Sequence, residues 1–260
     1  MNSRSSLEII RDAADWVAVA KPAGLATIPG RGEPPGESML EHVAVLLGLP
    51  ATGSADPRIR VVHRLDKDTS GILLFAKNAA AQRHFSHQFQ NNTVEKEYLA
   101  LVAGSPTADE GEIDAPIARH PTDPKRMSVV RHGGRAARTL WKVEQRFRDL
   151  ALLRVFPRTG KTHQIRVHLK HAGLPLAVDP LYNRQPPARG GKPGGVYLST
   201  IKRAYQLKRG GEESPLIDRL TLHAEALSFT APDGIRLRLE CPLPKDFRAA
   251  LNQLRKHALR

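Results

Sequence analysis

Residues 61–71 read VVHRLDKDTSG, and the 260-residue chain is best read outward from them. Two β-branched residues, Val61 and Val62, lead into a charged segment and then into Thr69, Ser70 and Gly71. β-Branched residues favour extended backbone, and clusters of Ser and Gly favour turns. The pattern therefore predicts strands at 61–65 and 70–77 flanking a polar KDTS turn. If the first strand runs on through Asp66, its period of two puts Arg64 and Asp66 on one face, with His63 and Leu65 on the other. A carboxylate at a strand end, beside a glycine-containing turn, meets a substrate from a rigid backbone. Arg-x-Asp also fits a surface ion pair, so spacing alone leaves both readings open.

Upstream, residues 7–20 read as two short strands broken near Asp12–Asp15, followed by the Gly- and Pro-rich loop KPAGLATIPGRGEPPGES. Ser38 is placed to cap a helix running to about Leu47, with Leu40, Val43 and Leu47 as its apolar positions and Gly48 as its stop. Downstream, a helix fits 79–90, and VEKEYLALVAG (94–104) reads as a buried strand. Residues 136–157 read as a hairpin ended by Pro157. THQIRVHLKHAG (162–173) reads as a helix closed by Gly173, with His163, Arg166 and Lys170 on one face and Ile165, Leu169 and Ala172 on another. Residues 184–217 are dense in Gly, Pro and Arg and read as a surface loop around a short strand near Val196–Ile201. LTLHAEALSFTAP (220–232) and IRLRLECPL (235–243) form a last strand pair, and a basic helix from about Lys245 closes the chain. The architecture expected is α+β, a mostly antiparallel mixed sheet with flanking helices and loops, organised as a single domain over 1–260.

Composition narrows the function classes. Forty Lys and Arg against 26 Asp and Glu give a net charge of +14, an excess that attracts polyanions by releasing their counterions. Nucleic acid is the leading partner class, ahead of an anionic membrane surface. Aromatic residues make up only 5% of the chain, which argues against a base-stacking platform of the single-strand-binding kind. The sole cysteine, Cys241, excludes an intramolecular disulfide framework and a multi-cysteine zinc site, and reads as a small buried hydrophobe. No apolar run is long enough to span a bilayer, and the N-terminus lacks a signal-peptide core. These features place the expectation in the cytoplasm. GKT at 160–162 invites a phosphate-loop reading, but the first glycine of that motif falls on Val155. His63, His163, His168 and His171 lack the carboxylate or cysteine spacing of a metal site, so no metal is expected.

The stretch HRLDKDTSG resembles the signature of the RluA-type RNA pseudouridine synthase family: His-Arg-Leu-Asp, two variable residues, then Thr-Ser-Gly. Further segments resemble the same family in the same order. VAKPAGLATIPG (19–30) is similar to its N-terminal loop, EKEYLALVAG (95–104) to its tyrosine strand, and RTGKTHQIRVHL (158–169) to its arginine motif. LAVDPLY (176–182), LTLHAEALSFTAPDG (220–234) and CPLPKDF (241–247) follow. The likeness covers roughly residues 8–250. Members often carry a small extra RNA-binding domain at the N-terminus, and none is expected ahead of a likeness that begins so early.

The resemblance implies a fold, an activity and roles for residues. Asp66 matches the catalytic aspartate, Tyr98 the tyrosine that packs on the target base, and Arg166 the arginine that pairs with the aspartate. Arg64 matches the residue thought to fill the place of the extruded base. Within the same motifs His63, Thr69, Lys161, His163 and Gln164 are expected to contact substrate or RNA, with phosphate contacts from Arg119, Lys125, Arg126, Arg131 and the 184–209 loop. The reaction breaks the bond from nitrogen 1 of uracil to ribose and rejoins the sugar at carbon 5. It is redox-neutral and needs no metal or cofactor. A carboxylate that attacks or deprotonates and later leaves serves this chemistry if it stays charged, which a nearby guanidinium favours and burial opposes. Anomeric attack, addition at carbon 6 and elimination remain open. The expected substrate is a uridine in structured rRNA or tRNA, turned out of its stack at a cost of a few kcal/mol, and the expected enzyme is a monomer. An RNA-binding or ribosome-assembly protein without turnover is the alternative from another class.

Overall fold

A computed structural model of the chain describes residues 7–30, 36–184, 194–202, 205–206 and 212–259. In chain order the first elements are β1 (Ile9–Asp12), β2 (Trp16–Lys21), α1 (Met39–Leu47), β3 (Arg60–Val61), β4 (Ser70–Ala76) and α2 (Ala79–Gln90). Then come β5 (Glu95–Ala103), β6 (Glu110–Asp114), β7 (Ile117–Arg119), β8 (Met127–Val129), β9 (Arg138–Arg146) and β10 (Leu150–Pro157). The chain continues with α3 (Gln164–His171), α4 (Leu198–Ile201), β11 (Leu222–Thr230), β12 (Arg236–Glu240) and α5 (Lys245–His257). The class is α+β, with antiparallel pairing throughout the registers below. The chain gathers into two compact units, one formed by residues up to Lys96 with Ala224–Pro242, the other by Glu97–His223 with the residues from Leu243 on.

In the first unit β4 is the central strand. Its sequence SGILLFA is buried at every position, the mark of a strand covered on both faces. β2 runs antiparallel to it from Trp16 opposite Ala76 to Lys21 opposite Gly71, and β1, the first of the two short strands the sequence predicts, pairs with β2. Helix α1 forms where expected: Ser38 accepts the Glu41 amide while the Glu41 carboxylate accepts the Ser38 amide, and Gly48 ends the helix in the left-handed region at φ 63°. Helix α2 is capped by Asn78 and seats Phe85 against Trp16 and Phe229, whose rings meet edge to face at 5.4–6.3 Å. Gln88 of α2 donates to the Thr230 carbonyl and accepts its amide, which fixes the helix to the end of β11. Cys241 is buried as expected, and burial pushes its thiol up to about 12, so it stays protonated.

In the second unit the strands lie in the order β5-β10-β9-β6. Alternate residues of β5 and β10 enter two different cores. Leu99, Leu101, Leu150 and Leu152 join Phe247, Ala250, Leu251 and Leu254 of α5. Ala100, Val102, Ala151, Leu153 and Val155 join Ile165 and Leu169 of α3. A helix on each face explains why both strands read as nearly unbroken apolar runs. The α5 set recurs at intervals of three and four residues, one stripe of an amphipathic helix.

Three expectations are corrected. The strand predicted at 61–65 ends at Val61, and residues 62–69 form a loop. The strand predicted near Val196–Ile201 is the short helix α4, and only Val196 bridges, to Ile217. Ala172, expected on the apolar face of α3, is exposed just beyond the end of that helix. Residues 185–193, 203–204 and 207–211 of the predicted 184–217 loop lie outside the described residues. No expectation covered β6, β7 and β8, strands of 5, 3 and 3 residues.

Candidate active site

In the first unit the motif loop is held without a strand ladder. The Asp66 carbonyl accepts the Thr69 amide at 3.1 Å, closing a turn over Lys67 and Asp68. The N-terminal loop grips the same segment. Thr27 Oγ1 accepts the Leu65 amide at 3.2 Å and donates to the Leu65 carbonyl at 3.1 Å. Lys21, only 2% exposed, donates from Nζ to the carbonyls of Pro22, Leu25 and Lys67 at 2.6–2.8 Å, and the Gly24 amide donates to Lys67 as well. A buried ammonium needs such partners, because an unpaired one carries a large desolvation penalty. Two motifs forty residues apart in sequence thus fold as one body.

His63 anchors the start of the loop. Its Nε2 accepts the Leu74 amide of β4 at 3.0 Å, and its ring stacks on Phe89 at 4.6 Å. That bond requires the neutral ring with Nε2 unprotonated. Burial, reinforced by the nearby Lys96 charge, depresses its pKa to about 3. Leu65 and Thr69 are buried, Arg64 is exposed and Asp66 is partly exposed. The in–out alternation expected of a strand is therefore present, produced by side-chain and backbone clamps instead. Immediately after the turn, Gly71 sits at φ 127°, and a Cβ there would lie 2.2 Å from the Ala224 carbonyl oxygen of β11. Only glycine fits.

In the second unit Arg166 lies on α3 and is 3% exposed. Sequence named Asp66 as its partner; within its own unit the guanidinium makes a bidentate pair with Asp179, Nε to Oδ2 and Nη2 to Oδ1, both at 2.8 Å. Asp179, 1% exposed, also accepts the amides of Leu181 and Tyr182. A planar carboxylate meeting a planar guanidinium through two bonds fixes the direction of Arg166 as well as its charge. Tyr182 packs beside the pair. Its hydroxyl accepts the Met127 amide of β8 at 2.7 Å and lies 2.9 Å from His163 Nδ1. Arg126, Arg166 and Lys170 surround its ring at 5.1–6.0 Å from the centroid. His163, Arg166 and Lys170 do share a face, as the helix spacing predicts, and Tyr182 is what they face.

Gln164 is 4% exposed and its amide is fully engaged: Oε1 accepts Thr159 Oγ1 and the Lys161 amide, while Nε2 donates to the Arg138 carbonyl and Thr139 Oγ1. Thr139 in turn lies 2.8 Å from His168 Nδ1, whose Nε2 is 3.0 Å from the Ala115 carbonyl. With Nε2–H donating to Ala115, Nδ1 accepts the threonine proton, and the chain of bonds runs unbroken from the 158–163 loop to β9. Burial depresses the pKa of His168 and keeps that ring neutral. The Lys161 side chain is half-buried, and burial and then the Arg135 charge lower its pKa. Tyr98, opposite Val155 in the β5–β10 ladder, packs partly buried on the same apolar cluster as Ile165 and Leu169. The second unit therefore brings Tyr98 and the arginine helix onto one core.

Lys21, Thr27, Asp179 and Tyr182 escaped residue-level assignment. For Asp179 a signal existed: an acid directly after the apolar run LPLAV, with no local cation to neutralise it. Among the described residues no group of His, Cys, Asp and Glu is arranged to hold a metal ion, and no helix is long and apolar enough to cross a membrane.

An α+β fold with a clamped HRLD turn and an acid-aligned arginine defines a class, and comparison with known proteins identifies it. Residues 15–171 match the family described as RNA pseudouridylate synthase. The chain belongs to that family. It is 40% identical over 253 residues to ribosomal large subunit pseudouridine synthase D of Nitrosomonas europaea, covering 96% of this chain and 65% of that protein. It is 36% identical over 260 residues to the protein of the same name from Xanthomonas campestris pv. campestris, covering 98% and 71%. A solved structure titled human RNA pseudouridylate synthase domain containing 4 superposes with a TM-score of 0.67 at 25% identity, covering 95% of this chain and 93% of that one.

Proposed function

We propose that the chain is an RNA pseudouridine synthase that isomerises uridines of large-subunit ribosomal RNA, with Asp66 as the acting carboxylate. The observation that carries this reading is the HRLDKDTSG turn, which holds Asp66 partly exposed while Leu65 and Thr69 on either side are buried. A carboxylate whose backbone is pinned on both sides loses little freedom when a nucleotide arrives, which is what positioned nucleophilic or acid–base catalysis requires. Arg64, exposed two residues earlier, carries a guanidinium suited to replace a base turned out of its stack. Tyr98 offers a ring of the kind that stacks on uracil. Arg166, its direction fixed by Asp179, takes the arginine's part in the same chemistry as an oriented guanidinium, and His63, Thr69 and Gln164 act by positioning the two motif loops. Ribosomal RNA is preferred over tRNA because the relatives carry that substrate in their names. The net charge of +14 suits such a partner, and a monomer working in the cytoplasm is part of this reading.

The test is tritium release from RNA labelled at carbon 5 of uracil. Wild-type protein is expected to release tritium, and Asp66→Ala to stop release while still binding the RNA. Equal release by the variant overturns the role of Asp66. RNA binding without release by either protein replaces the enzyme with an RNA-binding protein.

A further inference from the structure

Cations of the second unit fall into two populations. Every Arg and Lys within β9 and β10 has an acidic partner: Arg138 with Glu112, Lys142 with Glu110, Arg146 with Asp109, and Arg154 with Glu97 and Glu144. Around α3 and the β7–β8 hairpin the balance is reversed. Arg166 is neutralised by Asp179, but among the described residues neither Arg126 nor Lys170 has an acidic partner. Both nevertheless stand over the Tyr182 ring with Arg166, at 5.4 and 6.0 Å from its centroid. Arg126 Nε is buried with no hydrogen-bond partner. Crowding like charges and orphaning a guanidinium N–H both raise the free energy of the unliganded protein, and an anion relieves both at once.

We propose that Arg126 and Lys170, seated on Tyr182, grip phosphates of the RNA strand being modified. This rests on the functional reading above and adds where the backbone is held. Tyr182 is 5% exposed, its ring capped by cations, so the site offers charge and N–H donors and no free aromatic face. Its recognition is of the sugar–phosphate backbone and is indifferent to base identity.

The experiment measures binding of the full chain to a labelled transcript of a large-subunit rRNA helix across a range of KCl concentrations. Each phosphate contact contributes roughly one to the slope of log affinity against log salt. Arg126→Gln with Lys170→Gln is expected to flatten the slope by about two, whereas Arg126→Lys with Lys170→Arg keeps it. Lys142→Gln, which removes a paired cation, is expected to leave it unchanged. An unaltered slope in the double Gln variant, or an equal loss in Lys142→Gln, overturns the proposal. If wild-type protein binds the transcript and releases tritium while the double variant keeps its slope, this inference alone fails. If wild-type protein does neither, both readings fall.

Discussion

Around Asp66 the main chain does most of the holding. Carbonyls of Pro22, Leu25 and Lys67 take the buried Lys21 ammonium, the Asp66 carbonyl takes the Thr69 amide, and the acidic side chain itself stays partly exposed. Around Arg166 the reverse holds. The charged side chain is buried and is held by another charged side chain, Asp179, which two backbone amides hold in turn. The difference teaches where each site is vulnerable. A group tied down through its backbone can be replaced at the side chain with chemistry lost and fold kept. A buried charge tied to another cannot be altered on one side without stranding its partner.

The comparison is broken most forcefully at Asp179. Asp179→Ala leaves Arg166 buried without its carboxylate and is expected to lower unfolding stability by about 3–5 kcal/mol, measured by denaturant titration. A loss below about 1 kcal/mol would mean the pair is not what aligns the arginine. Next in size is Gly71, on the Asp66 side. Gly71→Ala drives a Cβ against the Ala224 backbone at a positive φ, and a destabilisation of about 3 kcal/mol is expected from strain and overlap together. Smallest per unit of pH, though it accumulates across several units, is a pH dependence. His63 is neutral in the fold down to about pH 3, whereas its unfolded form takes up a proton near 6.5. The unfolded chain therefore binds more protons between those values, and stability contributed by neutral His63 is complete above about 6.5 and lost as pH falls toward 3. His63→Gln should flatten the stability–pH curve in that window by up to about 1.4 kcal/mol per pH unit. An identical curve in the variant would show that the ring titrates freely.

Much of this was legible in the residues. The apolar runs of β4, β5 and β10, the Ser38 cap, and the limits of α2 follow from local pattern. The HRLD and QIRVHL motifs pointed to Asp66 and Arg166 through resemblance, not through spacing. What pattern could not supply was long-range pairing. Residues 62–69 have a strand-like alternation, yet their backbone is satisfied by Thr27 and Lys21, which lie 38 and 46 residues before their partners Leu65 and Lys67, so no ladder forms. Asp179 lies thirteen residues past Arg166, beyond the turn-to-turn reach of a helix, and only the chain reversal after α3 brings them together. β6 to β8 were hidden because they are only 5, 3 and 3 residues long and turn few apolar side chains inward (Ile113, Ile117, Met127 and Val129), too short a run for a hydrophobic period to register.

The account turns on the charge at Asp66, and Asp66→Asn removes that charge at constant shape. The decisive measurement is the pseudouridine content of a large-subunit rRNA transcript, digested to nucleosides and read by mass spectrometry, after single-turnover incubation with each protein. Wild type is expected to form pseudouridine and Asp66→Asn to form it more than about a thousandfold more slowly while remaining folded. Formation by the variant at the wild-type rate would contradict the account.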